Sequence, residues 1–147
     1  MVNVRPARVD DAAAVWRLVR ETGVLDVNSP YAYLMAFRHF AGTCLVAERG
    51  TSPDGFVLAF CPPARPDTVF VWQIGVAKNA QGRGVGGKLL DTLTDRFAKQ
   101  SGRYLEATVT PSNEASQKLF SRPGPAIGHA VPREPLLRRV GISRRRP

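Results

Sequence analysis

The stretch from Thr68 to Phe97 most constrains what this chain can fold into. It opens as TVFVWQIGVA, apolar at alternate and intervening positions alike, which predicts a central strand covered on both faces. It continues through QGRGVG, where Gly82, Gly84, Gly86 and Gly87 crowd together. Val85, Leu89, Leu93 and Phe97 then recur at the spacing of one helix face. A further apolar run, RYLEATVT, follows. Strand, tight turn, helix and strand predict a parallel crossover inside a mixed sheet. Glycine at a helix start costs backbone entropy. Its usual compensation is a ligand close to the backbone, and a helix N-terminus offers free amides and a positive dipole end to phosphate.

The flanking sequence fits one domain of this kind. VNVRPAR reads as a short first strand, with Pro6 arguing for an edge. Val15, Leu18, Val19 and Thr22 share a helix face that Gly23 ends. Ser29 and Pro30 start a second helix carrying Tyr31, Leu34, Met35 and Phe37. A hairpin is expected from TCLVAER through the turn GTSPDG to FVLAFCPP. After RYLEATVT, PSNEASQKLF reads as a short helix, and PLLRRVGI as one possible last strand. The expectation is an α+β fold, with a single domain over residues 1–140 and a basic tail over 141–147.

The length of 147 residues suits one core. The formal charge is +9, and five arginines near the C-terminus (Arg138, Arg139, Arg144, Arg145 and Arg146) carry five of those charges, leaving +4. A +4 body suits an anionic ligand. The tail can be a solvated end or a nucleic-acid contact, but no interleaved aromatic and basic pattern accompanies it. MVNVRPARVDD lacks the apolar core of a signal peptide, which points to the cytoplasm, and no apolar run reaches a membrane-spanning length. Cys44 and Cys61 lie in apolar runs and read as buried free thiols rather than a disulfide, metal site or nucleophile.

QGRGVGGKLL is not a P-loop, because Leu89 stands where that motif needs Ser or Thr after Gly-Lys. It also lacks the spacing and the early chain position of a dinucleotide turn. Alone, it is equally a tight turn or a ligand loop. In context it resembles motif A of the GCN5-related N-acetyltransferases, Gln/Arg-x-x-Gly-x-Gly/Ala, through Gln81, Gly84 and Gly86. The resemblance implies that the amides of Gln81, Gly82, Arg83, Gly84, Val85 and Gly86 hold the pyrophosphate of acetyl-CoA. Arg83 and Lys88 then add charge, or are plain surface residues. TPSNEASQKLF resembles the family's Asn-x-x-Ala-x-x-Leu-Tyr helix, which implies that Asn113 binds the pantetheine arm. Phe120 stands where many members place an acid tyrosine, and has no proton to give.

TGVLDVNSPYAYL, HFAGTCLVAE, FVWQIGV and RYLEATVTPSNEAS together resemble one subfamily, the L-2,4-diaminobutyrate acetyltransferases of the ectoine pathway. This implies transfer of acetyl to the 4-amino group by direct attack on the thioester, no metal, and a homodimer. A diamino acid wants a carboxylate, an aromatic face and polar groups. Asp26 is the candidate partner of a substrate ammonium, or a turn residue; Asn28, Tyr31 and Tyr33 flank it. Trp72 either packs over the cation or fills the core. Glu106, a carboxylate in an apolar strand, either serves the substrate, binding the second ammonium or helping to take its proton directly or through water, or pairs with an arginine. Thr108 shares its face. The strand amides near Ile74 and Val76 polarise the acyl oxygen in this scheme. HAVPREPLLRRVG resembles the family's closing strand, which implies His129 as a substrate-binding candidate; one terminal strand is expected to be shortened or missing. The alternatives are another small-amine or protein acetyltransferase, and a non-catalytic acyl-CoA binder.

Overall fold

The computed structural model describes residues 2–109, 113–121, 128–131 and 136–141, the last two stretches through their strand backbone. In chain order these form β1 (Asn3–Pro6), α1 (Ala12–Thr22), α2 (Pro30–His39), β2 (Leu45–Arg49), β3 (Ser52–Phe60), β4 (Thr68–Val76), α3 (Val85–Lys99), β5 (Tyr104–Val109), α4 (Glu114–Phe120), β6 (Gly128–Val131) and β7 (Leu136–Gly141). The strands make one sheet in the order β1-β2-β3-β4-β5-β7-β6. β4 and β5 are parallel, joined by α3, and the other neighbours are antiparallel. This is the mixed α+β arrangement that the strand–turn–helix stretch predicts.

Two apolar layers hold the sheet. On one face, Val85, Leu89, Leu93 and Phe97 of α3 pack on Leu45, Val57, Val69, Val71 and Leu105. On the other, Val15, Leu18 and Val19 of α1 and Tyr33 and Phe37 of α2 cover Val46, Phe56 and Leu58. β3 serves both layers because its side chains alternate. Leu89 and Leu93 are fully buried, each worth about 1.5–3 kcal/mol relative to exposure. Ser29 accepts a hydrogen bond from the Ala32 amide and Pro30 fills the first helical turn, so α2 begins as its sequence predicts. Pro6 lies on β1, an edge strand, where its missing donor costs little.

Three expectations need correction. The hairpin turn is not GTSPDG: Arg49 pairs with Ser52, so only Gly50 and Thr51 turn. The register shifts between Ala47 and Glu48, and a bulge absorbs Asp54, which pairs with Arg49 at 2.9 Å. At the C-terminal end two strands form, and β7 lies between β5 and β6, so β5 is not left as a bare edge. The basic tail, apart from Gly141, is outside the described residues. Finally, Cys44 is buried as expected, but Cys61 is partly exposed; both are free thiols.

Candidate active site

β4 and β5 pair only from Thr68/Tyr104 to Val71/Ala107, although β4 runs on to Val76. The parting has a local cause. β4 slips against β3 at Leu58/Ala59, leaving Trp72 without a partner, and such a bulge bends its strand. Beyond it, the Ala77 amide donates to Asp54 O at 2.8 Å on the β3 side. Alternation then turns the backbone groups of Ile74 and Val76 toward the side that β5 has left. A cavity of about 930 Å³ opens beside this freed edge. Ile74, Gly75 and Val76 form one wall, the glycine turn and the start of α3 a second, α4 a third, and Val24 and Leu25 of the α1–α2 loop a fourth.

The glycine turn is shaped for an anion. Gly82 and Gly84 both have φ of 77°, a left-handed conformation that strains other residues. The N-cap residue of α3 is Gly84, which has no side chain to cap the helix, and the amides of Val85, Gly86 and Gly87 have no intrahelical partner. All three residues line the cavity. Gln81 donates from Nε2 to Val76 O at 3.2 Å, tying the turn to β4. Opposite, Asn113 accepts from the Ser116 amide at 3.0 Å and starts α4 at the cavity wall. The donor set, uncapped amides plus the cavity-lining Lys118, matches a phosphate-bearing group.

Of the residues proposed for the cofactor, Ile74, Val76, Gln81, Gly82, Gly84, Val85, Gly86 and Asn113 line this one cavity. Arg83 is exposed and outside the lining. Lys88 needs correction as a phosphate group: one turn into α3 it faces β1, and its ammonium donates to Val2 O. Among the described residues the cation in the wall is Lys118, which motif A could not indicate because it lies on another helix.

Among the described residues, those proposed for the substrate side fall outside the lining of this cavity. Asp26 is exposed on the α1–α2 loop, Tyr31 and Trp72 are 66% and 47% exposed, and Thr108 is exposed on β5. Tyr33 needs correction: it is fully buried, and its hydroxyl donates to Gln73 Oε1 at 2.7 Å. Burial is the largest influence on its pKa and raises it. It is a core residue and does not form a substrate wall. Gln73 donates from Nε2 to the Asp26 carbonyl at 2.7 Å. The sequence does signal Gln73, as the one amide within an apolar strand, but gives no partner for it. Glu106 is 2% exposed, and Arg65 Nη1 donates to both of its oxygens at 2.6 Å. Of its two readings the structure has the ion pair, and the carboxylate does not front the cavity. His129 lies on β6 and its side chain is outside the described residues.

Cys44 is fully buried, and its pKa is pushed up to about 11 by burial, which keeps the thiol protonated and unreactive at neutral pH. Among the described residues no group of three or more His, Cys, Asp or Glu is placed to hold a metal ion.

The family model for the acetyltransferase (GNAT) family matches residues 12–124. The chain is 50% identical over 114 residues to the L-2,4-diaminobutyric acid acetyltransferase of Shouchella clausii, covering 78% of this chain and 64% of that protein. It therefore spans a little under two thirds of that relative's length. It is 44% identical over 131 residues to the protein of the same name from Streptomyces coelicolor, covering 88% of this chain and 77% of the relative. Among solved structures it is similar to diaminobutyrate acetyltransferase EctA from Paenibacillus lautus, in complex with its substrate L-2,4-diaminobutyric acid and coenzyme A. The TM-score is 0.85 at 33% identity, over 97% of this chain and 95% of that one.

Proposed function

The chain belongs to the acetyltransferase (GNAT) family, and from that premise we propose that it moves acetyl from acetyl-CoA to the 4-amino group of L-2,4-diaminobutyrate. The product, N4-acetyl-L-2,4-diaminobutyrate, feeds synthesis of the osmoprotectant ectoine. The observation that carries this reading is the meeting, in one cavity, of the uncapped α3 turn, the freed edge of β4 and the Asn113 cap. Relatives at 44–50% identity that bear the diaminobutyrate name support the choice of amine.

Acetyl-CoA, when bound, supplies the activated acyl carbon that the amine attacks. The chain's own residues bind and orient. The amides from Gly82 to Gly87 and the Lys118 ammonium hold phosphate oxygens. Asn113 holds the pantetheine arm with the part of its amide that does not cap α4. The Val76 amide faces the gap and donates to the acyl oxygen, with Ile74 setting the same edge. Asp26 receives a substrate ammonium, while Trp72 presents a ring face to it and Tyr31 and Thr108 flank it. Glu106 keeps its ion pair with Arg65 and shapes the β5 face. The transfer is direct: Cys44 is buried and protonated, and Cys61 lies outside the cavity lining. We further propose a cytoplasmic homodimer; sedimentation showing only monomer at working concentration contradicts that part.

A panel of amines tests the reading. Turnover selective for diaminobutyrate supports it. Turnover of other amines alone assigns the cavity to a different acetyltransferase of this fold. Coenzyme A binding without transfer to any amine makes the protein an acyl-CoA binder.

A further inference from the structure

We propose that Gln73 and Tyr33 are positioning residues for the amine site: together they clamp the α1–α2 loop so that Leu25 stands fixed at the cavity wall and Asp26 is held next to it in the loop. The inference rests on the acetyl-transfer reading above, because it assigns Asp26 to the amine.

The clamp has a definite polarity. The Tyr33 phenol's proton is directed at Gln73 Oε1, at 2.7 Å. With its acceptor end engaged, the Gln73 amide has its donor end facing the loop, where Nε2 meets Asp26 O at 2.7 Å. Loop, α2 and β4 are thus joined through one buried amide. A second attachment lies two residues along β4 on the same face. Leu25 sits where Gly75 has no side chain, and a Cβ there would lie 2.6 Å from Leu25 Cδ1. Leu25 and Gly75 both line the cavity, whereas Gln73 and Tyr33 do not.

An apolar pair would fill the same space, and replacing both partners of a buried bond by apolar groups can be nearly neutral for stability, but it leaves the Asp26 carbonyl without its donor. Holding the fold therefore does not explain this polar pair. Holding a loop carbonyl does. Val24, Asp26 and Val27 are exposed on that loop, so the backbone hold at Asp26 is what aims its carboxylate.

The test compares Tyr33→Phe, Gln73→Met and the double variant Y33F/Q73M, all in the full chain. Melting temperature, steady-state constants for each substrate and amide exchange over residues 23–29 are measured together. The single variants are expected to melt lower. The double variant is expected to recover most of that loss while its KM for diaminobutyrate stays raised about tenfold, the equivalent of one or two lost hydrogen bonds. Its KM for acetyl-CoA is expected to remain within about twofold, since the α3 turn is untouched. Its loop amides should exchange faster than wild type. A double variant with wild-type amine KM and wild-type loop exchange overturns the proposal. If the wild-type protein itself fails to turn over diaminobutyrate, the functional reading has failed, and loop exchange in the double variant still decides whether the clamp exists.

Discussion

Gly86→Ala separates what the glycine turn does for folding from what it does for binding. Gly86 lies in the first turn of α3 and has no left-handed backbone to maintain. An added Cβ would sit 3.5 Å from Leu119 Cδ2 and 3.7 Å from Val76 Cγ2, ordinary van der Waals contact. None of the described neighbours opposes alanine. Helix propensity favours it by about 0.5–1 kcal/mol, an upper figure for a first-turn position. At this chain length that raises the melting temperature by roughly 1–4 °C. Yet Leu119 and Val76 are both cavity walls, so the new methyl group projects where a ligand must lie. Coenzyme A should bind at least about tenfold more weakly, about 1.4 kcal/mol. Gly84→Ala supplies the opposite sign. Its Cβ meets nothing within 4 Å, but φ of 77° makes alanine there cost about 1–2 kcal/mol. Melting without ligand and calorimetric titration with coenzyme A read both effects. A Gly86→Ala protein that melts below wild type, or binds coenzyme A as well as wild type does, refutes the reasoning.

Three further outcomes follow from particular contacts. Lys118→Ala should weaken coenzyme A binding about three- to tenfold, with a shallower salt dependence, while Lys88→Ala, whose ammonium serves Val2 O, should change it less than about twofold; titration at two salt concentrations distinguishes them. Arg65→Ala leaves the buried Glu106 carboxylate without its guanidinium and should destabilise by about 1–3 kcal/mol, tempered by the exposure of Arg65, with R65A/E106Q recovering part of the loss in urea titration. The Arg5 guanidinium holds the carboxyls of Asp11 and Glu48 below the usual range. The unfolded chain therefore binds more protons, and this contribution, complete above the ordinary carboxylate values, is lost as pH falls through the depressed ones. Urea midpoints measured between about pH 6 and pH 3 should fall less steeply in Arg5→Ala, and an unchanged slope contradicts the assignment.

What the sequence made legible was local. The strand, glycine turn and α3 lie within the stretch from Thr68 to Lys99, and periodicity alone places Val85, Leu89, Leu93 and Phe97 on one buried face. The cavity residues on the turn follow from the same stretch. The illegible part was pairing across distance. Nothing in the chain says that Tyr33 points inward to Gln73, forty positions away, while Tyr31 two residues earlier stays exposed. Arg65 and Glu106 meet across forty-one positions because the parallel pairing of β4 and β5 brings Phe70 opposite Glu106. Lys88 and Lys118 look alike as sequence, and only the direction of each helix decides which faces the cavity. The hairpin turn was misplaced because a bulge lets Pro53, Asp54 and Gly55, all strand-averse, remain in β3.

The most direct test of the central claim is thiol release from acetyl-CoA in the presence of L-2,4-diaminobutyrate, with mass spectrometry of the product locating the acetyl group. The account predicts release that depends on the amine and acetyl on the 4-amino nitrogen alone. Release without N4-acetylated product, or no release from a protein that binds coenzyme A, contradicts it.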